Sequence, residues 1–180
     1  RDKRRWHMNE VLQIMMKDSD NRMAESLFWQ LSSFGGGKFG NIKSVISNIE
    51  QVFQRAGIPQ ASGYRIADGR GLSLYNYITP QMLNALLVYA WSQEDIRAHL
   101  IPSLPVGGVD GTLKNRFQGT KAYNNIFAKT GTVTGVSSLS GYANGGNGHV
   151  LSFAIINQGV ERGSMGRSFQ DQVCIAITEP

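Results

Sequence analysis

The sequence predicts a layered α/β fold of the α+β kind, in which helices pack against one antiparallel sheet. Apolar residues recur at three- and four-residue spacing over much of the first 125 residues, which is typical of amphipathic helices. From Ile126 onward the pattern changes to the alternation that is typical of strands. The chain has 180 residues, 41% hydrophobic and 17% charged, so it can bury a core of ordinary size.

Three helices are predicted before residue 60, at Met8 to Lys17, at Arg22 to Ser33, and from the cap residue Asn41 to Gly57. Each has an apolar stripe on one face. The glycine-rich segment from Gly35 to Gly40 is predicted to be a loop between the second and third helices.

The middle of the chain is predicted to contain turns and one further helix. Tyr64 to Ala67 has the pattern of a short strand, which leads into a turn at Asp68 to Gly71. Thr79-Pro80 supplies an N-cap and a first-turn proline for a helix that runs to about Trp91. Glycines between Gly107 and Gly111 mark another loop.

Three strands and a closing helix are predicted for the rest. The strands are Ile126 to Thr132, Val136 to Ala143 and Val150 to Asn157, and the glycine-rich segment 144–148 makes the last two a hairpin. The closing helix, from about Ser168 to Thr178, has four apolar residues available to pack on the sheet: Phe169, Val173, Ala176 and Ile177.

Charge and cysteine content exclude several classes of function. The first five residues contribute +3 of the net charge of +5, which describes a basic end and not the basic face that a nucleic-acid binder needs. Cys174 is the only cysteine, so there is no internal disulfide and no multi-cysteine metal site. His7, His99 and His149 are too scattered to suggest a metal. No apolar run reaches the roughly 18 residues of a membrane span.

The segment Ser19-Asp20-Asn21, between the first two helices, combines groups that acyl-transfer chemistry uses. Ser19 offers a hydroxyl that can accept and donate a proton, and Asn21 offers an amide that can bind a substrate carbonyl. A capping serine followed by a turn asparagine is the structural alternative.

The segment Lys129-Thr130-Gly131-Thr132, on the first strand, supplies complementary groups. Lys129 provides a positive charge for a carboxylate, and Thr130 adds a hydroxyl donor. Gly131 has no side chain, so a substrate backbone could lie close to the strand. The N–H of Thr132 could point at a developing oxyanion. A lysine facing solvent is the structural alternative.

Together the two segments resemble the second and third motifs of the low-molecular-mass class C penicillin-binding proteins, the D-alanyl-D-alanine carboxypeptidase/endopeptidase family S13. The resemblance runs from about Asn9 to Gln172. One departure is Arg70, where the family's Asp-Gly-Ser-Gly-Leu-Ser segment has serine. The stretches that carry the resemblance are Met16 to Glu25, Ile66 to Ser73, Leu104 to Leu113 and Ala128 to Thr132, followed by Gly-Val and Leu-Ser-Gly-Tyr.

The resemblance implies a β-lactamase/transpeptidase-like fold with an antiparallel sheet and a helical subdomain, in a protein of the periplasm or cell envelope. The chain would be the C-terminal portion of one such domain, with residues 6–125 mainly helical and residues 126–180 forming the strands and last helix. Peptidoglycan stem peptides and β-lactams would be the binding partners, and no metal or organic cofactor would be required.

The implied roles divide between the two motifs. Ser19 would relay a proton to the leaving amine, and Asn21 would orient the peptide. Lys129 and Thr130 would hold the terminal carboxylate, with Gly131 beside the substrate and the Thr132 N–H forming half of the oxyanion hole.

Two expected features are absent from the sequence. No serine has a lysine three positions later, so the nucleophilic Ser-x-x-Lys motif is expected upstream of this chain. Neither Glu50 nor Glu94 lies in the Glu-x-x-x-Asn setting of a deacylating glutamate, which favours a peptidase over a β-lactamase. A catalytically inert binding or scaffolding module and a β-lactamase-like hydrolase remain the alternatives.

Overall fold

A computed structural model describes residues 7–36, 38, 40–59 and 63–179. The helices are α1 (Met8–Lys17), α2 (Asn21–Gln30), α3 (Ile42–Arg55), α4 (Pro80–Ser92), α5 (Glu94–Ser103) and α6 (Gly163–Thr178). The strands are β1 (Ile126–Val133), β2 (Val136–Asn144) and β3 (Val150–Gln158), and short 3₁₀ turns occur at Leu31–Gly36 and Gly111–Leu113.

The three strands form an antiparallel sheet in the order β1-β2-β3. The register places Lys129 opposite Ser140 and Gly131 opposite Ser138. Because β2 is in the middle, β1 and β3 are the edge strands of the sheet that the described residues form.

Helices cover both faces of the sheet. On one face α6 packs over β2, and the core there is made of Leu113, Phe117, Ala122, Ile126, Ala128, Leu139, Ala143 and Cys174. On the other face α4 packs against β3 and β2, where the Tyr142 hydroxyl donates to the Leu87 carbonyl at 2.8 Å. Lys129 and its cross-strand neighbour Ser140 lie on this second face with Tyr142, since alternate residues of a strand share a face.

The remaining helices form a second layer beside the sheet. A separate buried cluster is made by three residues: Phe53 in α3, Met82 in α4, and Ile58, which follows α3. Helix α1 packs against α5, which itself packs against α4. This arrangement brings the C-terminal end of α1 to the sheet face that carries Lys129.

The predicted helices at Met8–Lys17, Asn41–Gly57 and Thr79–Trp91 and the three predicted strands are confirmed within one or two residues, and α2 is shorter than predicted because a 3₁₀ turn takes over at Leu31. The predicted strand Tyr64 to Ala67 is wrong. Arg65 and Tyr77 form a single isolated bridge, and the Asn76 side chain then accepts from the Ala67 N–H at 2.7 Å, so pairing stops there.

The predicted closing helix has the right end and the wrong start, and its predicted packing face is right only in part: Ile177 packs against the core cluster as predicted. The helix begins at Gly163, five residues before Ser168, and it buries Gly166, Gln170, Cys174 and Thr178 while Phe169 is 52% exposed. Helix α5 has no counterpart among the helices that the sequence predicts.

Two predicted features lie wholly or partly outside the described residues. They are the basic end at residues 1–5 and, within the glycine-rich loop, Gly37 and Phe39. None of the helices in the described ranges is long and apolar enough to cross a membrane.

Candidate active site

Ser19 lies in a tight turn between α1 and α2. Its backbone is in the left-handed region, with φ of 58°, which a residue with a side chain adopts only where its surroundings hold it. Asp20 follows as the N-cap of α2, and its carboxylate accepts from the N–H groups of Arg22 and Met23 at 2.8 and 3.0 Å. These hydrogen bonds lower the pKa of Asp20, the bond from Met23 most of all.

Lys129 brings the two motifs together. Its Nζ donates to Ser19 Oγ at 2.6 Å and to the Thr130 carbonyl at 2.8 Å. The two side chains are 110 positions apart in the sequence. The contact therefore exists only because α1 ends against this face of β1, and it excludes the structural alternative of a lysine facing solvent.

The Lys129 ammonium is partly buried, and burial lowers its pKa. Both of its hydrogen bonds go to neutral oxygens, and no carboxylate within the described ranges lies within ion-pair distance of it. Its positive charge is thus available for an anionic ligand.

The outer edge of β1 presents backbone groups next to this lysine. The Ala128 N–H donates outward, to the Pro105 carbonyl at 3.0 Å, on the side away from β2. Because the N–H direction alternates along a strand, the N–H groups of Thr130 and Thr132 point to the same outer side. Thr132 is exposed, so its N–H can reach a bound molecule.

Gly131 lies against a serine side chain of the neighbouring strand. A Cβ at this position would overlap Ser138 Oγ, which lies opposite it and donates to the Gly131 carbonyl at 3.3 Å. The glycine therefore leaves room for the Ser138 side chain on this face of the sheet.

Asn21 is exposed at the first position of α2, and its side chain makes no hydrogen bond to any other described residue. It lines a cleft of about 500 Å³ between α2 and the 68–73 turn, together with Arg22, Glu25, Ser26, Trp29, Gln30, Arg70 and Leu72. The structure thus joins Ser19 to Lys129, whose Nζ also reaches the Thr130 main-chain carbonyl, and places Asn21 on a cleft that none of these three residues lines.

Several residues at this site have no catalytic role predicted from the sequence. Glu25 accepts from Trp29 Nε1 at 2.9 Å and from the Gly69 N–H at 3.0 Å, which fixes the wall of the cleft. Thr112 Oγ1 lies 2.9 Å from Thr130 Oγ1. The segments that carry the family resemblance contain these residues, but only folding shows which of them face the site.

A metal site is not formed by the residues that the structure describes, since no three His, Cys, Asp or Glu side chains among them come together.

Comparison with known proteins extends over nearly the whole chain. Residues 3–178 match the model of the D-Ala-D-Ala carboxypeptidase 3 (S13) family. The chain is 35% identical, over 96% of its length, to the D-alanyl-D-alanine carboxypeptidase of an Actinomadura species, and it covers 32% of that protein. The chain spans about a third of the length of the curated relatives it matches.

Two solved structures share the fold. One is penicillin binding protein 4 (dacB) from Haemophilus influenzae in complex with a β-lactam, with a TM-score of 0.81 and 27% identity over 95% of this chain and 41% of that one. The other is an extended-spectrum β-lactamase, with a TM-score of 0.68 and 16% identity over 95% of this chain and 63% of that one. The predicted transpeptidase-like fold is thereby confirmed.

Proposed function

Since the chain belongs to the D-Ala-D-Ala carboxypeptidase 3 (S13) family, we propose that the protein carrying it is a serine-type D-Ala-D-Ala carboxypeptidase/endopeptidase acting on peptidoglycan stem peptides. The observation that carries the proposal is the 2.6 Å hydrogen bond between Lys129 Nζ and Ser19 Oγ, on the sheet face against which α1 ends. It joins a hydroxyl that can carry a proton to an ammonium that can bind a carboxylate. Cleavage of a C-terminal residue needs both groups.

The reaction proceeds through an acyl-enzyme. A serine upstream of this chain, activated by the lysine one turn later, attacks the carbonyl of the penultimate D-Ala. A bond forms between the serine oxygen and that carbon, the peptide C–N bond breaks, and the terminal D-Ala leaves as an amine once it has gained a proton. Water then hydrolyses the ester, with no metal or organic cofactor.

Residues of this chain position and protonate the substrate. Ser19 gives its hydroxyl proton to the leaving nitrogen and takes up in return the proton that the upstream lysine removed from the nucleophilic serine. Lys129 already donates to the Ser19 oxygen, which leaves the hydroxyl proton free to be donated. Lys129 and Thr130 bind the terminal carboxylate. Asn21 holds the peptide from the cleft side, and the outward N–H of Thr132 stabilises the oxyanion.

β-Lactams are bound as mimics of the same substrate, and the protein works in the periplasm or cell envelope. This chain is the C-terminal portion of a single transpeptidase-like domain, with the division at residue 126 between its helical part and its sheet. A β-lactamase activity is less well supported, because the sequence contains no Glu-x-x-x-Asn string to direct a water at the acyl-enzyme.

The test uses the full-length protein with Lys129→Ala and Ser19→Ala, and measures fluorescent-penicillin labelling and release of D-Ala. Each substitution should lower the rate of both reactions by about 100-fold or more, since it removes a group that moves or holds a proton at the reacting centre. Lys121→Ala, at an exposed lysine before β1, is the matched control and should have no effect. Unchanged labelling and release in the Lys129 and Ser19 variants would overturn the proposal.

A further inference from the structure

An ion pair fixes the end of α1 two residues before Ser19. Lys17 Nζ lies 2.5 Å from Asp110 Oδ2. The exposed fractions of the two side chains are 19% and 39%. The other carboxylate oxygen, Oδ1, accepts from the Val106 N–H at 2.9 Å, so the Asp110 side chain is held at both oxygens.

The loop that contains Asp110, residues 105–113, is also attached to β1. Val106 forms a bridge with Phe127, the Gly107 N–H donates to the Ile126 carbonyl at 2.8 Å, and the Ala128 N–H donates to the Pro105 carbonyl at 3.0 Å. One end of the 105–113 loop therefore extends the sheet just before Lys129.

The far end of the same loop touches both motifs. Thr112 Oγ1 is 2.9 Å from Thr130 Oγ1. Gly111 has φ of 54°, and a Cβ there would lie 2.7 Å from the Lys17 carbonyl oxygen, so the loop backbone rests directly on the last turn of α1. The 105–113 loop thus connects the α1 end that presents Ser19 with the strand that presents Lys129.

We propose that Lys17 and Asp110 are positioning residues that hold Ser19 Oγ at hydrogen-bond distance from Lys129 Nζ. The inference rests on the proposed function and adds to it the contact that sets the geometry of the proton relay. Partly exposed ion pairs contribute little to stability, so the consequence of this one lies in where it holds Ser19. A displacement of about 1 Å at a reacting group can cost 100-fold in rate.

The experiment measures acylation of the full-length protein by a β-lactam, with the binding constant and the acylation rate constant separated, and kcat and KM for D-Ala release. Lys17→Met and Asp110→Asn should each lower the acylation rate constant and kcat by about tenfold or more, with KM changed less than about twofold. Asp110→Asn is isosteric and keeps the acceptor for the Val106 N–H. The double variant should be no slower than the slower single variant, and Lys17→Arg should restore most of the rate.

Asp171→Asn is the matched control, because it breaks the Arg116–Asp171 ion pair, of 2.6 Å, on the opposite face of the sheet. It should leave the acylation rate constant unchanged. Normal rates in the Lys17 and Asp110 variants, or an equal loss in Asp171→Asn, would overturn the positioning role. If these rates are normal while Lys129→Ala is inactive, the proposed function stands and only the inference fails. If Lys129→Ala is active, both fail.

Discussion

Lys129 should give the reaction a characteristic dependence on pH. Burial lowers the pKa of its ammonium below the value of about 10.4 of a free lysine. A lowered pKa means that the positive charge is lost at a lower pH than in an exposed lysine. Binding of a C-terminal carboxylate should therefore weaken, and kcat/KM for D-Ala release should fall, as the pH rises toward 10.

The matched measurement uses a peptide amide, which lacks the carboxylate and should not show this alkaline loss. A decline that begins only above the pKa of a free lysine, or one that is identical for the acid and the amide, would contradict the role of the Lys129 charge.

Sequence patterns identify site residues only when a motif is short and local. Ser19 and Lys129 could be predicted because each lies in a compact string whose chemistry is readable on its own. Lys17 and Asp110 could not, because a lysine at a helix end and an aspartate in a glycine-rich loop are ordinary, and 93 positions separate them. The contact between Gly131 and Ser138 could not be predicted either, because it comes from the register of two strands.

At the scale of elements, a buried glutamine joins α6 to two strands. Gln170 is fully buried, and its Nε2 donates to Ser137 Oγ at 3.1 Å and to Asn157 Oδ1 at 3.0 Å. Its Oε1 accepts from Arg116 at 3.3 Å. Gln170→Ala should lower the free energy of unfolding by about 2–4 kcal/mol, because it leaves a cavity and unpaired buried polar groups.

Hydrogen exchange in α6 and β3, together with denaturant unfolding, measures this effect. Gln172→Ala, two positions along the same helix at an exposed residue, is the control and should change stability by less than about 0.5 kcal/mol. Equal stabilities of the two variants would contradict the assigned role of Gln170.

Gln170 also helps to explain why the sequence predicts only the second part of α6. Its buried face is Gly166, Gln170, Cys174 and Thr178, which a search for apolar periodicity does not recognise. Glycines at 163 and 166 also argue against a helix by propensity. Only glycine fits at position 166, because a Cβ on this residue would lie 2.8 Å from the Ser137 Cβ. Tertiary packing thus overrides local preference.

Helix α5 was missed for a related reason. It has polar residues around its surface and a proline, Pro102, in its last turn, so its sequence has no apolar stripe. Packing against α1 and α4 stabilises it instead. Helices α1, α3 and α4 and the three strands of the sheet, in contrast, could be predicted within one or two residues.

For the whole molecule, the sheet face that carries Lys129 is where the helical layer meets the strands, so the site depends on how both parts pack. Local patterns predict each part separately. They do not predict that α1, α5 and the 105–113 loop together bring Ser19 to β1, because those contacts join residues about 100 positions apart.

The proposed division of catalytic groups predicts how this polypeptide behaves by itself. It contains Ser19, whose oxygen already accepts a hydrogen bond from Lys129, but no serine with a lysine one helical turn later. A hydroxyl needs a base to take its proton before it can attack, and the Lys129 ammonium that contacts Ser19 Oγ is already protonated, so it cannot act as that base. Incubation of the 180-residue chain with a β-lactam should therefore give no covalent adduct by mass spectrometry, whereas the full-length protein should give one adduct, on a serine outside this sequence. An adduct on Ser19 of the isolated chain would show that the nucleophile had been assigned to the wrong segment. An unmodified full-length protein would instead favour the inert binding module.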